Sequence, residues 1–319
     1  MASPQVVAEV VRSGFIEGHH HGSVVALGAD GAVDWSVGAV DAPILPRSCN
    51  KPIQALAMVR LGLDLPDELL ALVCASHSGE PFHIDGVRRI LAVADVPESA
   101  LQTPPDYPLE DTAREALIRS GEKKSAIAMN CSGKHAGMLV TCALNGWDLA
   151  TYREPDHPLQ QKIAETFVEL TGEPVTTVAV DGCGAPLLST SLTGLARAFS
   201  RLASAQDGHE ARVANAIRRH PEWVSGSQRD ERALLAAIPG AIGKAGAEAC
   251  YAVALADGRA FALKIDDGGA RARPAVMAAA LRRSGVDQEP GVDTEAVRRT
   301  GVVEVLGRGE PVGEVRAVI

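Results

Sequence analysis

Short β-branched runs separated by turn residues fill the first forty positions: VVAEVV, GSVVALG and AVDWSVG, the last two joined by Asp30-Gly31. Strands of this kind turn alternate side chains to opposite faces, so the stretch predicts a β meander. From Pro52 the period changes. PIQALAMVRLGL, PDELLALV and VRRILAVA place apolar residues at helical spacing, and this texture holds until about Pro239. One strand candidate, VTTVAV at 175–180, interrupts it and runs into Asp181-Gly182-Cys183-Gly184. DHPLQQKIAETFVELTG predicts a helix with Asp156 as its cap, Pro158 in its first turn, Ile163, Phe167 and Leu170 on one face, and Gly172 as its stop. Strand character returns in CYAVALADGRAFALKIDD, two alternating runs joined by the hairpin signal Asp257-Gly258. RARPAVMAAALRRSG then reads as a helix, and VGEVRAVI closes as a strand.

Strands at both ends and helices between them predict an α/β protein of the α+β type. The termini, about 1–50 and 245–319, build a mainly antiparallel sheet, and about 51–244 build a helical lobe, within one domain spanning 1–319. Composition adds that the core is aliphatic, since hydrophobic residues make up 46% and aromatic ones only 3%. A net charge of -9 argues against nucleic-acid and anionic-membrane partners, which need clustered Lys and Arg, and favours a small-molecule substrate. Glu9 and Arg12 interrupt the apolar N-terminus, so it lacks the core of a signal peptide, and no later run reaches membrane-spanning length. A cytoplasmic location is the expectation. The six cysteines then read as buried, reactive or metal-bound rather than disulfide-paired.

PRSCNKPIQ holds Ser48 and Lys51 in Ser-x-x-Lys spacing. A neutral lysine in reach of a serine hydroxyl can take its proton and make it a nucleophile. The same residues also read as a helix cap and a solvated lysine, and Pro52 pushes Lys51 toward the helix entrance. In ALVCASHSGEPFH an apolar run stops at a polar loop carrying Ser76, His77 and His83, either a catalytic loop or a surface turn. MNCSGKHAGMLVTCALNG opens a helix at Lys134 or His135, with Cys142 on its buried face and Cys131 off it. VDGCGAP sets Cys183 between glycines after Asp181. Spacing nominates Cys131, His135 and Cys183 as a zinc site, or else as two buried thiols beside a histidine. FALKIDDGG places Lys264 on the strand face opposite Phe261, Leu263 and Ile265, pointing from the sheet edge toward a ligand or toward solvent.

PRSCNKPIQA, ASHSGEPFH, NCSGKHAGML, DGCGAP, GKAGAEACYAVAL and FALKIDDGG, in this order over nearly the whole chain, resemble the L-asparaginase II family of the rhizobial type. The resemblance implies a fold like that of serine β-lactamases and penicillin-binding proteins. It implies hydrolysis of L-asparagine to L-aspartate and ammonia through a serine acyl-enzyme. It implies Ser48 with Lys51 as one Ser-Lys pair and Ser76 with Lys264 as a second. Cys131, Lys134 and Cys183 match positions that hold zinc, which makes Lys134 rather than His135 the ligand; Asp181 and His135 then stand behind them. His21, Arg47, His77 and Cys250 are the expected substrate contacts, and a homodimer the expected assembly. Cys49 and the run His19 to His21 depart from the expected pattern. A serine-dependent glutaminase or β-lactam hydrolase is the enzymatic alternative, and a zinc or amino-acid binding module the non-enzymatic one.

Overall fold

The computed structural model describes residues 3–319, and the chain divides into two compact units. One holds residues 1–49, 190–204 and 233–319; the other holds 50–189 and 205–232. The sheet-bearing unit therefore takes in 190–204 and 233–244, which helical texture had assigned to the other lobe. In chain order the strands are β1 (Gln5–Arg12), β2 (Phe15–Leu27), β3 (Val33–Val37), β4 (Val178–Val180), β5 (Pro186–Leu188), β6 (Ile242–Ala245), β7 (Cys250–Ala254), β8 (Ala260–Ile265), β9 (Glu304–Gly307) and β10 (Glu310–Ala317). The helices are α1 (Lys51–Arg60), α2 (Asp67–Val73), α3 (Pro81–Ala92), α4 (Asp111–Arg119), α5 (Ser132–Leu144), α6 (Pro158–Thr171), α7 (Leu192–Ser204), α8 (Gly208–Arg219), α9 (Pro221–Val224), α10 (Asp230–Ala237), α11 (Ala272–Arg283) and α12 (Thr294–Thr300).

In the first unit the strands pair antiparallel in the order β6-β7-β8-β2-β1-β10-β9, with β3 added on β2. The two chain ends meet here: Val10 of β1 stands opposite Val315 of β10. β2 is long enough to serve two neighbours, pairing through Phe15–Gly22 with β1 and through Gly22–Leu27 with β8. Gly22 marks the handover, and a Cβ there would stand 2.6 Å from the Lys264 carbonyl oxygen, so only glycine allows the approach. α7 and α11 pack on the sheet, and β7 and β8 are buried at every position except Lys264. That explains why their sequences are apolar almost throughout instead of alternating.

The second unit is helical, with α1 packed on α6 and α8, α2 on α5, α8 and α9, and α3 on α5. Glycines set two of these distances: a Cβ at Gly133 would meet the Leu72 carbonyl at 2.5 Å, and one at Gly137 both methyls of Val73 at 2.9 Å. α6 ends at Gly172 in the left-handed conformation, φ 71°, as the sequence predicts. Its cap is His157, whose ring accepts from the Leu159 amide, and not Asp156. VTTVAV forms only the short β4, paired with β5 as a separate hairpin. Among the described residues no helix is long and apolar enough to cross a membrane.

Candidate active site

In the sheet unit, Ser48 sits in a 3-10 turn (Arg47–Asn50) and is nearly buried. Arg47, just before it, holds φ 52°, a left-handed conformation that costs a non-glycine residue on the order of 1 kcal/mol or more. The turn is held from both sides. Cys49 Sγ donates to the Lys244 carbonyl at 3.0 Å, and Gly246 leaves so little room that a Cβ would stand 3.2 Å from the Ser48 nitrogen. Arg47 reaches Glu248 at 3.6 Å.

The same unit corrects two expectations. Lys264 does not stand at a sheet edge: β8 lies between β7 and β2, and Ser23, Lys264 and Cys250 form one row across three strands. Its amine donates to the Ile265 carbonyl at 2.7 Å. Of the three histidines, His20 is buried, with Nδ1 on Asp267 at 2.8 Å and Nε2 accepting from Arg271 at 3.0 Å, while His21 is exposed, as alternation along β2 requires. Cys250 is fully buried. Sequence reasoning passed over Lys244, a wholly buried lysine on β6 whose amine donates to the Ala245 carbonyl at 2.8 Å. Its signal was a lysine inside the apolar run AIGKAG.

In the helical unit a polar network is buried among apolar helices. Lys51 opens α1 and is fully buried, so it is neither solvated nor held off the helix by Pro52. Its amine lies within hydrogen-bond reach of the Ala75 carbonyl, of Ser76 Oγ at 3.0 Å and of Cys131 Sγ at 3.1 Å. The structure thus joins Lys51 to Ser76, across the two Ser-Lys pairs that the resemblance implies. Ala75–Gly79 is a buried loop and not a surface turn, since Ser76, His77 and Ser78 are nearly inaccessible, and His83 is buried in the first turn of α3.

His77 Nε2 lies 2.9 Å from Ser132 Oγ, and that hydroxyl spends its proton on the Ile127 carbonyl at 2.7 Å. The imidazole must therefore donate through Nε2, leaving Nδ1 bare. Burial, then the neighbouring His83 and Lys51, pushes the His77 pKa well below its ordinary value, so the ring is neutral.

Cys131 caps α5 and is buried at 3% exposure, against the sequence placement off the buried face. Lys134 follows on the first turn of α5, and its amine donates to Cys183 Sγ at 3.0 Å. Cys183 hangs in the turn between β4 and β5, closed by Asp181 N to Ala185 O at 3.0 Å and by Gly184 at φ 85°. The two thiols are shifted in opposite directions. A hydrogen bond shared with Cys183 and then burial raise the Cys131 pKa, whereas that same bond and the Lys134 charge lower that of Cys183. Burial alone would lower the Lys134 pKa, but the charges of Cys183, Cys131 and Asp181 outweigh it and raise it. His135 is neutral, its pKa pushed down to about 4 chiefly by burial. Its Nδ1 pairs with Tyr152 at 2.6 Å, and Nε2 makes no conventional hydrogen bond, with Cys183 as a polar neighbour. Tyr152 carried no signal in the sequence. Among the described residues no group of three His, Cys, Asp or Glu side chains is arranged to hold a metal, so the trio Cys131, His135 and Cys183 does not form one.

The sequence match assigns the chain to the hydrolases of amide bonds. Residues 8–317 match the sequence model of L-asparaginase II, and the chain belongs to that family. No curated protein sequence matches the chain. Solved structures that resemble it are more distant. EstCE1, a hydrolase with promiscuous acyltransferase activity, is 13% identical at TM-score 0.41, covering 78% of this chain and 91% of that one. A β-lactamase from Mycobacterium bovis is 14% identical at TM-score 0.38, covering 82% and 94%. The D-alanine carboxypeptidase AmpC from Burkholderia cenocepacia is 15% identical at TM-score 0.40, covering 83% and 92%. At these TM-scores nothing about this chain's chemistry follows from them.

Proposed function

We propose that this amidohydrolase acts on L-asparagine, releasing L-aspartate and ammonia through an acyl-enzyme formed on a serine. The observation that carries the reading is the buried Lys51 amine 3.0 Å from Ser76 Oγ, in a chain of the L-asparaginase II family. A serine becomes a nucleophile when a base takes its proton, and a lysine enclosed by protein can act as that base when neutral. Ser48 is the proposed nucleophile: it follows the strained Arg47 and sits on a turn that Gly246 holds close. On the resemblance, Lys51 is its base, and Ser76 relays protons to the departing ammonia and from the attacking water. Arg47, His77, His21 and Cys250 are carried over as substrate contacts on the resemblance alone, as is Lys264 for orientation and the homodimer as assembly.

Zinc belongs to this proposal. Two sulfurs and an amine converge in one buried place and thiolates are strong zinc ligands, so the set fits zinc once Lys134 gives up its proton. Cys131, Lys134 and Cys183 would hold the ion, which would supply a fixed positive charge there. His135 suits a supporting place, since a Tyr152 hydroxyl donating to Nδ1 leaves Nε2–H facing Cys183.

The test is ammonia release from L-asparagine, L-glutamine and penicillin by wild type, Ser48→Ala and Ser76→Ala, with intact mass measured during turnover. Asparagine hydrolysis lost in both variants, with an acyl adduct on Ser48, is the expected result. Preference for glutamine or penicillin would replace the substrate, and an adduct on Ser76 would exchange the roles of the serines. Bound zinc without turnover would leave a binding module.

A further inference from the structure

Cys131 and Cys183 reach one place from separate elements, the start of α5 and the turn between β4 and β5. With Met129 and Ala185 they make a buried cluster of their own. Each sulfur also meets an amine, Cys131 that of Lys51 at 3.1 Å and Cys183 that of Lys134 at 3.0 Å. Two thiols in one small cluster, each beside a lysine amine, form an arrangement that both binds a soft metal and closes to a disulfide. The same atoms serve either purpose, so one excludes the other.

We propose that Cys131 and Cys183 are a redox-active pair, oxidised by a peroxide to a disulfide that removes the sulfur partner of Lys51 and switches hydrolysis off. The disulfide rests on the placement of the sulfurs; only its effect on activity rests on the role proposed for Lys51. Both residues are buried, Cys183 at 1% and Cys131 at 3% exposure, and we place Cys183 first because its turn runs beside exposed Gly182 and half-buried Gly184. Its sulfur attacks one peroxide oxygen, the O–O bond breaks, and with hydrogen peroxide one water leaves and a sulfenic acid remains. The Cys131 sulfur then attacks that of Cys183. The S–O bond breaks, the departing hydroxide takes the Cys131 proton as a second water, and the S–S bond is formed. Two sulfurs have given two electrons to one peroxide. Lys51 is left with the Ala75 carbonyl and Ser76 Oγ, without its sulfur partner. A metal on the two sulfurs blocks the first step.

The experiment treats the purified full chain with hydrogen peroxide, both as isolated and after dialysis against a chelator. Thiols are counted under denaturing conditions, peptides are mapped by mass spectrometry, and ammonia release is followed before and after dithiothreitol. We expect two of the six free cysteines to disappear, one cross-linked peptide joining Cys131 to Cys183, and a loss of activity of at least about tenfold that dithiothreitol restores. Cys131→Ser and Cys183→Ser should each abolish the cross-link, and added zinc should slow it. An unchanged thiol count, or a cross-link between other cysteines, overturns the pair, and a cross-link that leaves ammonia release intact overturns the switch. If the reduced protein never hydrolyses asparagine, the functional reading fails while thiol count and peptide map still decide this one.

Discussion

Lys51 is the residue on which several parts of the site depend, because its amine reaches a backbone carbonyl, a serine and a thiol in one buried place. Lys51→Met keeps the length and apolar stem but removes the protons. Because the Ala75 carbonyl, Ser76 and Cys131 stay buried without their donor, we expect a loss of about 1–3 kcal/mol in urea unfolding. Ammonia release should fall by about 10²- to 10⁴-fold, the usual contribution of a positioned base. Retained turnover in this variant would remove Lys51 from the mechanism. Gly246→Ala probes the other unit. Its new Cβ would press on the Pro46 carbonyl at 2.9 Å and on Ser48 N at 3.2 Å, costing about 1–3 kcal/mol and displacing the serine turn. A falling turnover number at unchanged KM is the expected signature. Ser-x-x-Lys spacing exposed both residues in the sequence. It could not show that Lys51 is held by Ser76 or that Arg47 is strained, since a long-range contact and a positive φ leave no periodic trace.

At the scale of elements, α5 carries the chemistry on its first turn and packs through its glycines. Gly133 lies against the Leu72 carbonyl, a rigid backbone atom 2.5 Å from where a Cβ would go, whereas Gly137 faces side-chain methyls that can turn away. Gly133→Ala should therefore cost more stability than Gly137→Ala, on the order of 3 against 1 kcal/mol, as read by thermal melting of the two variants side by side. Equal losses would mean that α5 shifts as a body. Local chemistry made such elements readable: α6 ends where Gly172 said it would, and the β7-β8 hairpin turns at Asp257-Gly258. What escaped was set by tertiary contact. His157 caps α6 because its ring can fold onto the Leu159 amide, a role that Asp156 would fill on propensity alone. β8 looked like an edge, and became interior once β2 ran far enough to pair with it.

The sheet-bearing unit is closed by the chain ends, and this much of the fold was visible as strand texture at both termini; the order of the strands was not, because antiparallel partners are fixed by packing rather than by sequence separation. Removing Glu310–Ile319 would take β10 from between β1 and β9 and leave the apolar edge of β1 open, so a truncated chain should be recovered mainly as aggregate. A second global property follows from two buried rings. His83 stacks on His77 at 5.3 Å; burial pushes its pKa down to about 4, partly opposed by the Glu222 carbonyl and the charge of Glu80. His77 is pushed down as well. In the unfolded chain both rings titrate near 6.5. As pH falls below that value the unfolded state takes up protons that the folded state refuses, so stability drains away between about 6.5 and about 4, where His83 itself is finally protonated. Above the window the contribution is constant, and for His83 its full loss amounts to roughly 3 kcal/mol. Urea midpoints at pH 7.5 and pH 5 for wild type and His83→Gln measure it. The wild-type midpoint should drop more than that of the variant, and equal drops would mean that other groups govern the acid sensitivity.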